Sequence, residues 1–144
     1  MNIFNNENKL RFTQIAEARK EGKSLEGENA LIARVMDNHP EFDIFWPLGE
    51  LAAHPQEVGD SVVNPFVHTA LHLAVEKQAE ALSPQETAAA LYHLEKSGCT
   101  RHDALHQILA IYSEIYFYTF RRGEAFEETI YIEMLKELRG KNPS

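Results

Sequence analysis

Apolar residues along this chain recur at three- and four-residue spacings, and glycines and prolines cut that pattern into six helical stretches. The first runs from about Asn6 to Lys20, with Leu10, Ile15 and Ala18 apolar, and stops near Gly22. Ser24 is placed to cap a second, in which Leu31, Ile32, Val35 and Met36 recur at helical spacing. His39-Pro40 ends it, because a residue before proline disfavours helical geometry. Pro47, Gly49, Pro55 and Gly59 then imply an irregular section reaching Val63. Asn64-Pro65 opens a third helix, a capping side chain followed by a proline in the first turn, and it runs to about Leu82.

Ser83-Pro84-Gln85-Glu86 reads as a capping box that opens a fourth helix ending at Gly98. Thr100-Arg101-His102-Asp103 starts a fifth that ends at Gly123, and a sixth covers about Phe126 to Arg139. No segment alternates in the manner of a strand between turns. Between Ile108 and Phe120, 10 of 13 residues are apolar or aromatic, spread over nearly every side of the wheel. A helix apolar all round is one that is surrounded. The expected architecture is therefore an all-α, compact single-domain bundle over residues 1–144, about six helices around a central helix at about 101–122.

Composition narrows the function classes more than it picks one. The 144 residues fit one domain, and 44% hydrophobic with 25% charged residues is ordinary globular usage. A formal net charge of -8 argues against nucleic acid, whose phosphates need a basic patch. No basic region followed by an apolar run marks a secretory signal near Met1, and the longest apolar stretch falls short of a membrane span. With Cys99 as the one cysteine there is neither an internal disulfide nor a thiolate zinc cluster, so a reducing cytoplasm is expected.

The residues that carry chemistry are histidines. His68 and His72 lie four apart on the third helix, so both project from one face, where two imidazoles can share a metal ion. They flank the apolar side set by Val67, Leu71, Ala74 and Val75, with Glu76 one turn further along the row. His102 and His106 repeat the spacing on the fifth helix, and Glu114 sits inside its apolar run, where a buried carboxylate needs a partner or a metal. If the two helices are neighbours, His68, His72, His106 and a carboxylate, Glu114 or Glu76, form a set suited to zinc, iron or nickel. His102 is expected nearer solvent, and His54 and His93 on the surface.

The competing explanations are structural. A histidine pair at this spacing commonly supports a helix start and a core edge, and His39 suits a helix C-terminus, where its charge complements the dipole. Cys99 sits near a helix start, where a thiol can be activated, yet turn cysteines without a role are far commoner. The aromatics Tyr112 to Phe120 read as core, with Glu114 a candidate acceptor for a tyrosine hydroxyl. No nucleophile elbow or phosphate-binding loop is present. The rival reading is a non-catalytic protein–protein interaction module with structural histidines, docking through an acidic helical face or through the irregular section with Phe42, Phe45 and Trp46.

His39-Pro40-Glu41-Phe42, followed by Asn64-Pro65-Phe66-Val67-His68-Thr69-Ala70-Leu71-His72, resembles a bacterial family of short helical proteins, Domain of Unknown Function 1841. The likeness extends over roughly Leu10 to Leu138. The family pattern continues with a later helix carrying a histidine and then a glutamate, positions matched by His106 and Glu114. Glu76-Lys77-Gln78 departs from the pattern by separating a glutamate and a glutamine expected side by side, and the stretch from Leu51 to Asp60 also differs. The resemblance implies a helical fold, a bacterial cytoplasmic setting and a joint role for His68, His72 and His106. It implies no activity.

Overall fold

The computed structural model describes residues 6–141, which form six α-helices, two short 3₁₀ segments and one small hairpin. All-α is therefore the observed class, and no described helix is long and apolar enough to cross a membrane. The helices sort into two compact units, one ending at Leu73 and the other beginning at Ala74.

In the first unit, α1 (Asn6–Lys20) packs against α2 (Gly27–Asp37) and against a 3₁₀ segment at Trp46–Ala52. The start of α3 (Pro65–Ala81) completes it. Phe12, Ile15, Leu31, Ile32, Met36, Phe42, Trp46 and Phe66 make one buried apolar cluster. Leu10, one of the apolar positions of α1, is exposed, because burial there follows the Phe12–Ile15–Ala16 row instead. Ser24 does not cap α2. Glu26 occupies the cap position without a side-chain hydrogen bond, and Gly27 turns the chain into the helix at a φ of 59° that glycine tolerates.

The irregular section holds a feature that its sequence concealed. Gln56–Val58 (β1) and Ser61–Val63 (β2) pair antiparallel, with Val58 opposite Ser61 across the Gly59-Asp60 turn. Three residues per strand are too few for alternation to be legible.

In the second unit, α4 (Gln85–Lys96), α5 (Arg101–Arg121) and α6 (Glu128–Lys141) pack pairwise. Thr100 caps α5 as expected, its Oγ1 accepting from the Asp103 N–H at 3.1 Å. Pro84 precedes α4 as its cap, and Ser83 makes no capping hydrogen bond there. Helix α5 is not apolar all round in its setting. Ala104, Leu105, Ile108, Leu109, Tyr112, Ile115, Tyr116 and Thr119 form one buried stripe, while Tyr118 and Phe120 face out. The aromatic run had hidden an ordinary amphipathic helix.

Two of the buried tyrosines, Tyr131 and Tyr112, shape this unit. The Tyr131 hydroxyl donates to Gln78 Oε1 at 2.7 Å and lies 3.2 Å from Thr87 Oγ1, which also donates to Gln78. Burial, with a contribution from Tyr116, pushes the Tyr112 hydroxyl up to about 12. The folded state therefore keeps this proton above the ordinary tyrosine value near 10, where the unfolded chain releases it. The stability it confers is complete below about pH 10 and is lost between about 10 and about 12. Replacing Tyr112 with Phe is expected to flatten the alkaline fall of the denaturation midpoint. An unchanged slope would remove Tyr112 as its source.

Candidate functional site

The site begins with two local decisions of the chain. Helix α3 starts where Asn64 Oδ1 accepts from the N–H groups of Phe66 at 3.0 Å and Val67 at 3.3 Å, with Pro65 fixing the first turn. Such a cap contributes about 1 kcal/mol and sets where the helical rows begin. His68 and His72 consequently share a face, with ring centroids 4.7 Å apart and Nε2 atoms 3.1 Å apart. His72 is deeper than its expected place at the core boundary, at 2% exposed, whereas His68 is half-buried.

The second decision is the stop at Pro40. Helix α2 ends at Asp37, and Pro40–Phe42 turns away in a 3₁₀ segment. Arg19 fastens this corner, donating to Asp37 Oδ1 at 2.6 Å and to Asp43 Oδ1 at 3.2 Å, one residue on each side of the 38–42 turn. His39 is thereby turned inward and is 2% exposed. Its Nδ1 lies 2.7 Å from the Val35 carbonyl oxygen, an acceptor only, so Nδ1 carries the proton. In the neutral ring, Nε2 then presents its lone pair, and it lies 3.3 Å from Nε2 of His68.

Three imidazoles thus converge through ring nitrogens. His39, His68 and His72 each offer one donor atom, all within 4.8 Å of one another. Donors held ~2.0–2.1 Å from a tetrahedral zinc lie ~3.3–3.4 Å apart, and around an octahedral ion of similar radius they lie ~3.0 Å apart. The observed separations of 3.1 and 3.3 Å fall across that interval. An aromatic wall holds the rings. Phe42 stacks on His39 with centroids 5.3 Å apart and meets His68 edge-on at 5.5 Å. Trp46 in turn packs edge-on against Phe42 and Phe66.

His106 is on α5 in the second unit, half-buried, its ring centroid 4.2 Å from that of His102. Glu114, expected inside a buried run, is exposed: it stands about 200° around the helix from the buried Tyr112, on the outer side of α5. Glu76 is held by Arg101, which donates to its Oε1 at 2.8 Å and also to Glu95 at 3.3 Å. His54 is exposed as expected, while His93 is half-buried in the last turn of α4.

His39 is the residue that sequence reasoning assigned to a structural role and that the fold places in the cluster. Its sequence signal was the His-Pro-Glu-Phe segment itself, which carried the family resemblance but, for His39, was read as a helix end. Phe42, Phe45 and Trp46, expected as docking anchors, are buried in the first unit's core, with Trp46 at 3% exposed. A residue already buried in the isolated chain has no surface left to offer a partner.

Fold and site together define a small all-helical protein that gathers three histidines on neighbouring turns of one unit. The chain belongs to the family described as Domain of unknown function (DUF1841), whose model matches residues 5–137. No curated protein and no solved structure matches it.

Proposed function

We propose that this protein binds a divalent first-row transition ion through His39, His68 and His72. The convergence of three imidazole nitrogens, with Nε2 of His68 3.1 Å from that of His72 and 3.3 Å from that of His39, carries the reading. Two supporting features follow from the chemistry of such sites. Histidine ligands characteristically donate their second nitrogen to a carbonyl or carboxylate, as His39 does to Val35. Imidazole-only donors favour zinc, nickel, copper or iron over magnesium and calcium, which take oxygen.

His106 enters the proposal as a fourth donor on its sequence pattern alone. Glu114 leaves it, because an exposed carboxylate on the outer side of α5 is a poor partner for buried imidazoles. Glu76 leaves it through its pairing with Arg101. No reaction is assigned, and a bacterial cytoplasmic setting belongs to the same proposal. There the Cys99 thiol stays reduced.

Elemental analysis of untagged protein purified without chelators tests this directly, beside a His68→Ala/His72→Ala variant. The expected result is close to one transition ion per chain, falling to background in the variant while the far-ultraviolet helical signal persists. Native protein that carries no metal and takes up none of zinc, iron, nickel or copper on addition would make the histidines packing residues.

A further inference from the structure

The three donors are all neutral when they bind, and that has a consequence for charge. Among the described residues, the group that can hold an ion contains histidines and no carboxylate or thiolate. Neutral imidazoles leave a divalent ion with its full charge of two. His39 and His72 are each 2% exposed, and the rings around them are those of Phe42 and, one layer out, Trp46 and Phe66. An uncompensated dication in such surroundings is strongly disfavoured, so the charge must be balanced locally. The two carboxylates that the sequence offered for that role are committed elsewhere, Glu76 to Arg101 and Glu114 to solvent.

We infer that the ion at His39, His68 and His72 takes a small exogenous anion as a further ligand. This inference rests on the metal reading above. The anion belongs to the class of compact monoanions that bind a metal through one oxygen or nitrogen: hydroxide, a small carboxylate, bicarbonate or azide. His68, the half-buried member of the three, marks the more accessible side of the cluster. His106 as a fourth donor would leave the charge argument intact, since it too is neutral as a ligand. The rest of the chain works against nonspecific anion binding, its formal charge being -8. Saturable uptake of an anion therefore points to the metal.

Cobalt(II), which replaces zinc and has visible absorption sensitive to its ligands, is the probe. The full chain is loaded with one equivalent and titrated with azide, then with formate, at constant ionic strength. The expected result is a saturable shift of the visible bands, with formate displacing azide. Cobalt that binds, loses its bands in the His72→Ala variant, and keeps an invariant spectrum with both anions and from about pH 6 to about pH 10 overturns the anion ligand alone. Cobalt that gives the same spectrum with native protein and the variant overturns the metal reading, and this inference with it.

Discussion

Zinc added to the metal-free protein is expected to raise its melting temperature by roughly 10 °C. With free metal at about a thousand times its dissociation constant, ligand binding to the folded state alone contributes about 4.1 kcal/mol. For a chain of this size each kcal/mol moves the midpoint by about 2–4 °C. The probe is built in, because Trp46 is the chain's one tryptophan and lies in the core of the first unit. Replacing His39 with Ala should abolish most of the increment. That side chain joins the end of α2 to α3, 29 positions away in sequence at His68, and without it the metal no longer closes that loop. The alanine also opens a cavity, so the comparison is between increments and not between absolute midpoints. Equal zinc shifts in the two proteins, or none in either, would remove His39 from the ligand set.

The second large effect is expected at Phe42. It is 2% exposed, lies nearly parallel to His39 at an interplanar angle of 8°, and meets both His68 and Trp46 edge-on. Replacing it with Ala removes core packing worth about 3–5 kcal/mol. The same change frees the His39 ring, so metal affinity should fall along with stability. Phe42→Leu separates the two effects. It keeps most of the buried volume, costing less than about 1.5 kcal/mol, but lacks the flat face against which His39 rests. Denaturant midpoints and zinc titrations of both variants are the measurements. A Phe42→Ala protein within about 1 kcal/mol of native would contradict this account of the burial.

Helix positions were legible because their signals are local. The Asn64-Pro65 start and the Thr100 cap are formed by side chains two or three residues from the N–H groups they receive, so neighbouring sequence suffices to place them. The His68 and His72 pairing was legible for the same reason, four residues being about one helical turn. The Gln56–Val58 and Ser61–Val63 hairpin was not, since strands of three residues carry too little pattern. The aromatic run of α5 misled in the other direction. Tyr118 and Phe120 are apolar in composition but stand on the exposed side, and apolar residues on a surface are common enough that composition cannot assign a face.

The candidate site divides along the same line. Two of its members come from one helix row, whereas His39 comes from a corner held by Arg19, Asp37 and Asp43 and turned inward by the stop at Pro40. Nothing local distinguishes that histidine from one that merely caps a helix; the Val35 hydrogen bond that orients its ring depends on how the corner folds. By itself, then, the sequence determined the helical class, the main helix limits and the His68–His72 pair, because each rests on contacts within one or two turns. Tertiary structure decided that His39 joins them, that Phe42 and Trp46 wall the cluster, and that Glu114 is exposed. Those outcomes depend on which faces of separate elements are buried, a property set by packing between residues far apart in the chain.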